Sequence, residues 1–188
     1  MPSITGTVTA GSKGSLVPIL TFQADGNNCC YGFGSIPQIY TDLMLVSNLS
    51  SNVAFAASNF SYFAPEPTLE GSRSTLHTYG TSAPTHVRNT GEGNIITGNA
   101  GMQGAPAAGA YVTIEFNDYT NTSKTRSYSI RYGGSVNVND TGNSVSVTSG
   151  TYSTTGGLTQ FGISSYNGDH KWTTNTWFSL YGVRRAGQ

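Results

Sequence analysis

The chain has 188 residues, no formal net charge and a charged fraction of only 10%, which fits one domain of ordinary size and leaves little room for two. Neutrality gives no electrostatic attraction to phosphate backbones or anionic membranes, so the composition argues against nucleic-acid binding. Glycine, serine, threonine and asparagine make up close to half of the residues, which favours short strands and tight turns over helices, and 11% aromatic residues argue against disorder of the whole chain.

The beginning of the chain is predicted to be an arm. Residues 1–15 are rich in Gly, Ser and Thr and carry few apolar side chains, so we expect a flexible N-terminal arm followed by a single domain over residues 16–188. The first five residues lack the basic and apolar regions of a signal peptide, which predicts a product made in a cytoplasm and released only by lysis. No apolar run approaches the roughly 18 residues of a membrane span, so no membrane insertion is expected.

Short apolar runs that predict strands then recur about every ten residues. Period-two alternation is clearest over residues 111–116 and returns over 126–132, and the polar segment between them predicts a hairpin. Residues 43–46 are apolar on both faces, which predicts a central strand covered on both sides. Eight to ten strands are expected in all, which predicts an all-β antiparallel sandwich, jelly-roll-like. Further segments with a strand-like pattern, not all of which need form separate strands, lie at 16–22, 52–63, 75–79, 94–97, 136–138, 145–147, 158–163 and 177–183.

Two segments interrupt this rhythm. Residues 64–93 contain Pro65, Pro67 and Pro84 with several glycines, which predicts long irregular connections of the kind that often carry contacts or function. Residues 99–109 are rich in small side chains and are predicted to form an extended loop that lies against a neighbour.

Two further segments carry a resemblance to a known family. Residues 35–46 read SIPQIYTDLMLV and residues 178–186 read FSLYGVRRA, and each is predicted to be a strand. This pair resembles the two ends of small tailed-bacteriophage virion proteins, whose usual patterns are SIPQTYTDL.LV and F(S/T)LYGIK.A, and the resemblance runs from about Leu20 to the end. The middle departs from it, because residues 53–63 read VAFAASNFSYF where relatives have RFNGD and NYS, so no ligand site is carried over.

The resemblance implies a β-sandwich and a role as a virion structural protein. We therefore expect a subunit exposed on the particle surface, either a capsid decoration or cement protein or a small fibre-type appendage, with other virion proteins as partners. Because the resemblance implies a virion subunit and closed symmetric rings cover exposed strand edges, we expect a homo-oligomer on the particle, specifically a homotrimer. The alternative is a tail-tip module that binds a receptor or glycan, and a hydrolase acting on host surface polymer is a distant third.

No catalytic, cofactor-binding or metal-binding residues are predicted, and the chain is not expected to be an enzyme. His77, His86 and His170 lack metal-ligand spacing, no Gly-x-Ser-x-Gly elbow occurs, and the carboxylates, such as Asp25 and Asp169, are spread singly. With so many serines, a serine close to a histidine is expected by chance alone.

One local group of residues suggests a glycan or partner contact. Aromatic planes there flank short polar side chains, as in many sugar sites, and the group consists of Tyr166, Asn167, Asp169, His170 and Trp172. The alternative is that Asn167 and Gly168 form a simple turn while Trp172 packs beside Trp177.

Cys29 and Cys30 are adjacent. An intrachain bond between neighbours would be strained, because their Cα atoms are only about 3.8 Å apart. Two interpretations stay open: reduced thiols buried at a strand edge, or an inter-subunit disulfide formed after release into an oxidising medium.

Overall fold

The computed structural model describes residues 15–52, 58–63, 70–79, 83–92, 95–100, 110–135, 143–153, 156–164 and 171–184. This part of the chain contains strands and no helix, so the predicted all-β fold is confirmed. The strands are β1 (Leu16–Gln23), β2 (Cys30–Phe33), β3 (Asp42–Leu49), β4 (Ser58–Phe63), β5 (Glu70–Tyr79), β6 (Thr85–Glu92), β7 (Ile95–Ala100), β8 (Ala110–Asn117), β9 (Arg126–Ser135), β10 (Asn143–Ser153), β11 (Phe161–Ser164) and β12 (Trp177–Val183).

These strands form two antiparallel sheets. The larger sheet has eight strands in the order β1-β12-β3-β8-β9-β10-β5-β6, and the smaller has four in the order β2-β11-β4-β7. Their facing side chains share one core, in which the Phe33 ring stacks on Phe161 of the smaller sheet with centroids 4.7 Å apart, and Phe161 lies 5.1 Å from Phe116 of the larger sheet. The arrangement is consistent with a β-sandwich. No helix in the described part is long and apolar enough to cross a membrane.

The predicted hairpin is confirmed by the pairing of β8 with β9, in which Glu115 lies opposite Ser129. Val112, Ile114 and Phe116 face the core, as the period-two alternation indicates. The turn after β8 begins at Asp118, whose φ of 53° lies in the left-handed region. Its backbone N–H donates to Asp42 Oδ1 at 2.8 Å, which ties the turn to the start of β3.

A buried arginine anchors the loop end of the same hairpin. Arg126 is only 1% exposed, and it donates from Nε to the carbonyl of Asn121 and from Nη2 to the carbonyl of Gly156. Its guanidinium carbon lies 5.6 Å from the centroid of the Tyr152 ring. A charged side chain is buried at low cost only when its donors are satisfied, so Arg126 joins the hairpin loop to the segment that precedes β11.

Several strand predictions need correction. Residues 34–41 form a loop rather than part of a strand, with Ser35 at φ 54°, and β3 begins only at Asp42. Met44 and Val46 are half-exposed, so β3 is fully covered on one face and not on both. Leu158 precedes its strand, because β11 begins at Phe161. Residues 99 and 100, predicted to begin the extended loop, are instead the end of β7. The strand predicted at 136–138, residues 53–57 of the one at 52–63, the rest of that loop and arm residues 1–14 lie outside the described residues.

The segment 64–93 is less irregular than its prolines and glycines indicate. The strand predicted at 75–79 is confirmed as the second half of β5, which begins earlier, at Glu70, and β6 covers Thr85–Glu92. The prediction of irregular connections is therefore wrong for residues 70–74 and 85–92. Neither strand has an alternating apolar pattern, and their polar side chains therefore give no period-two hydrophobic signal. The sequence does not predict β2 either.

The two segments that carry the family resemblance lie side by side. Strands β3 and β12 pair directly, with Leu45 opposite Leu180, and the N–H of Thr41 donates to the carbonyl of Val183 at 3.0 Å. The buried Tyr40 ring covers Gly182 so closely that a Cβ at that position would overlap it. These contacts join the two segments into one structural unit.

In parts of strands β10 and β5, polar side chains face the core and apolar side chains face solvent, the reverse of the usual arrangement. Thr75 and Thr148 face inward, are almost fully buried and hydrogen-bond through their hydroxyls at 2.9 Å. Val145, Val147 and Leu76 face outward and are about half exposed. The outer face of this part of the large sheet therefore combines exposed apolar side chains with the polar groove described next.

Candidate functional site

A groove of about 620 Å³ crosses the outer face of the large sheet over β8, β9, β10, β5 and β6. Residues that pair directly across antiparallel strands project from the same face, so the strand register sorts the groove into two rows. The first row consists of Asn117, Ser127, Thr151 and Ser72. The second consists of Ser129, Ser149, Ser74 and Arg88, and Glu115 continues this row on β8 beyond the residues that line the groove.

The first row consists of side chains that can both donate and accept hydrogen bonds. The Asn117 amide donates to Ser127 Oγ at 3.2 Å, and the hydroxyls of Ser72 and Thr151 lie 3.2 Å apart. Each hydroxyl offers one donor and two acceptor sites, so these pairs keep hydrogen-bonding capacity directed at solvent. The row can therefore bind a polar ligand without burying an unsatisfied group.

Charge is distributed unequally along the second row. At the β8 end, the Glu115 carboxylate accepts a hydrogen bond from Ser129 Oγ at 3.1 Å and lies 3.6 Å from Arg131 Nη2. At the β6 end, Arg88 is exposed and forms no ion pair with any side chain that the structure describes. Negative charge is thus compensated at one end of the groove, and positive charge is available at the other.

A serine and a histidine meet at the β6 end. Ser74 Oγ lies 2.7 Å from His86 Nε2, a pairing of the kind that the serine content leads one to expect. A catalytic triad also needs a carboxylate that orients the imidazole, and no described carboxylate hydrogen-bonds to His86. The pair is therefore assigned to the polar lining of the groove.

The sequence-predicted glycan site is only partly described. Tyr166, Asn167, Asp169 and His170 lie outside the described residues. Trp172 has no exposed surface, and its ring meets Phe178 edge-on with centroids 6.1 Å apart. Its ring is therefore not accessible to a surface ligand, and packing is the role that its burial supports.

The packing partner of Trp172 differs from the one expected. Trp177 lies on the opposite face of the large sheet, where its ring is 6.3 Å from that of Tyr111. Of the remaining histidines, His77 is buried on the inner face of β5, and His170 lies outside the described residues. Among the described residues no group of three or more His, Cys, Asp or Glu side chains is placed to hold a metal ion.

Cys29 and Cys30 are free thiols whose sulfurs lie 2.9 Å apart. They stand at the start of β2, an edge strand of the small sheet, as the strand-edge interpretation holds. That interpretation is wrong about burial, because Cys30 is exposed and Cys29 is half-buried. Desolvation, with a smaller contribution from Cys29, raises the pKa of the Cys30 thiol from 9.0 to about 11.

We expect Cys30 to be alkylated slowly by iodoacetamide at neutral pH, although it is exposed, because the thiolate is the reactive form. The rate should keep rising with pH up to about 11, whereas a thiol with its ordinary pKa of 9.0 levels off earlier. The Cys29→Ser variant removes the neighbouring thiol and should shift the profile modestly to lower pH. The measurement is the alkylation rate at Cys30 by peptide mass spectrometry across this range, and a rate that levels off near pH 9 in the folded protein would contradict the prediction.

No family model, curated protein or solved structure matches this chain. Function is therefore inferred from its own residues and geometry. The groove is the feature that the sequence analysis missed, although a signal for it exists. Strands β5, β9 and β10 each carry a hydroxyl, any residue, then a second hydroxyl, at Ser72 and Ser74, Ser127 and Ser129, and Ser149 and Thr151.

Proposed function

We propose that this protein is a non-catalytic structural subunit of a bacteriophage virion, exposed on the particle surface as a capsid decoration or cement protein or as a small fibre-type appendage. One observation carries the proposal: the segments at 35–46 and 178–186, which resemble the ends of virion proteins, contact each other through β3, β12 and the Tyr40–Gly182 packing. Because the two segments contribute to one packed unit, their occurrence together supports the resemblance more strongly than either segment would alone.

The sheet edges support association with neighbouring virion subunits. Strand β1 is one edge of the large sheet and carries the exposed Pro18, while β6 is the other edge and has no proline over Thr85–Glu92. Proline hinders the pairing of an edge strand with another chain, because it lacks an N–H donor. An edge strand without proline offers backbone donors and acceptors to another chain. We infer a homotrimer in which neighbouring chains cover such edges.

The second candidate is a tail-tip module that binds a receptor or a host-surface glycan. The observation that favours it is the groove on the outer face, with its two rows of polar side chains. Binding and structural roles are compatible, because a subunit seated on the particle can expose this face to the host.

We expect an antibody raised against the purified protein to label the outside of intact particles at regular positions in electron microscopy. Absence of the protein from purified particles would contradict the virion proposal.

Size-exclusion chromatography with light scattering should give three times the chain mass of 19.8 kDa. Incubation of the purified protein with host polysaccharide, peptidoglycan or ester substrates should give no turnover. A stable monomer would contradict the trimer, and turnover lost on replacing His86 with alanine would support a hydrolase.

A further inference from the structure

The groove on the outer face has the hydrogen-bonding chemistry of a carbohydrate site. Neighbouring strands are about 4.8 Å apart, so each row presents a polar group at intervals close to the length of one sugar unit in a linear polysaccharide. The floor, represented by Ser127, Ser149 and Thr151, is exposed to solvent. A volume of about 620 Å³ lies within the range of about 300–1,000 Å³ that is usual for ligand sites.

The lining favours an acidic sugar over a neutral one. Neutral sugars are usually held by an exposed aromatic plane against the apolar face of the ring. The aromatic side chain that contributes to this groove, Tyr128, is 3% exposed and packs against Gly150 inside the sandwich. Arg88 instead offers an exposed guanidinium, whose paired donors match a carboxylate.

The position of Arg88 sets the orientation of such a ligand. At the opposite end, Glu115 lies beyond the lining of the groove, and its carboxylate is compensated by Ser129 and Arg131. A carboxylate-bearing sugar unit is therefore expected at the β6 end beside Arg88, with the hydroxyls of the following units on the serine rows.

A protein partner would use this face differently. The exposed Leu76 and Val147 lie in the next row of the sheet, and they are the side chains that a protein interface would cover. They are not part of the groove lining. The side chains that line the groove are mostly hydroxyl-bearing or charged, which favours a polysaccharide.

We propose that the groove across β8, β9, β10, β5 and β6 binds an acidic polysaccharide, with Arg88 pairing a carboxylate and the serine rows binding hydroxyls. This site does not depend on the virion assignment, because the purified protein should bind without any particle.

The test is isothermal titration calorimetry of the purified protein with a defined oligogalacturonate and with a neutral oligosaccharide of the same length. We expect the acidic probe to bind the more tightly and its affinity to fall with salt. Arg88→Gln should weaken its binding about ten-fold or more, because a charge-assisted pair is lost, and Ser149→Val should weaken it a few-fold. Lys124→Gln is the matched control: it removes one positive charge from a side chain that is 61% exposed and pairs with Asp118 outside the groove, and it should leave the affinity unchanged.

Several outcomes would overturn the proposal. Equal binding of the two probes with no effect of Arg88→Gln would show that the site is not selective for acid groups, and equal weakening by Lys124→Gln would show unspecific charge attraction. If neither probe binds and Leu76→Asp changes the oligomer mass, the face is a protein interface. Circular dichroism of each variant checks that it remains folded.

Discussion

Replacing Gly182 with alanine is expected to lower the thermal midpoint by several degrees. The buried Tyr40 ring lies against the Gly182 backbone where a Cβ would project, and the guanidinium carbon of Arg184 lies 5.6 Å from the centroid of the same ring. Because the ring is buried, it cannot move away from an added Cβ without disturbing its neighbours. Overpacking of this kind costs about 1–3 kcal/mol, and each kcal/mol shifts the midpoint of a domain of this size by roughly 2–4 °C.

Gly133→Ala is the matched control for that substitution. Gly133 also lies within a strand of the large sheet, but no atom is within 4 Å of a Cβ added there, so its midpoint should be unchanged or slightly higher. The comparison is made by thermal unfolding at one protein concentration, since an oligomer's midpoint depends on concentration. Combining Gly182→Ala with Tyr40→Leu should cost less than the sum of the single changes, because the overlap requires the tyrosine ring. Equal midpoints for the two alanine variants would contradict the packing argument.

The predictable strands are those with one apolar face. Strands β8 and β9 alternate, with Ile114 and Ile130 buried opposite each other, and period two therefore identifies both. Strands β1 and β12 are found within a residue or so of their ends for the same reason. In these elements the alternation of apolar and polar residues shows directly which face the hydrophobic effect buries.

Strands β5, β6 and β10 are harder to predict because their burial does not follow hydrophobicity. The inward Thr75 and Thr148 satisfy each other, which removes most of the cost of burying them, while Val147 faces solvent. Arg126 illustrates the same limit, since its acceptors at Asn121 and Gly156 come from separate parts of the chain. Such partners exist only after the chain has folded.

The groove could not be predicted from the sequence for a related reason. A groove assembled from five strands depends on register, which places Ser129 beside Ser149 and Ser149 beside Ser74. Sequence patterns reveal only groups of residues that are neighbours along the chain, such as residues 166–172. Such a group can mislead, because Trp172 has polar neighbours in the sequence and yet is fully buried in the core.

Deletion of residues 1–14 is expected to abolish incorporation into particles while the thermal midpoint stays nearly unchanged. These residues carry many Gly, Ser and Thr and few apolar side chains, and from this composition we expect that alone they do not offset the entropy of being ordered. We propose that they become ordered by adding backbone hydrogen bonds to an exposed strand edge of a neighbour. Ser15 is retained because its carbonyl accepts a hydrogen bond from the N–H of Arg184 at 3.3 Å, next to the start of β1.

Proline substitution separates backbone pairing from other roles of the arm. Changing Thr5, Thr7 and Thr9 to proline removes three N–H donors and should reduce incorporation nearly as much as the deletion, whereas serine at the same positions should preserve it. Occupancy is measured by quantitative mass spectrometry of purified particles, and folding by thermal unfolding of the free subunit. Normal occupancy of the truncated protein would place the anchor elsewhere, and the segments at 64–93 and 99–109 would be tested next. The edge strand β6 is the preferred acceptor, because it lacks the proline that blunts β1, and a proline within β6 on the acceptor subunit should then lower occupancy as well.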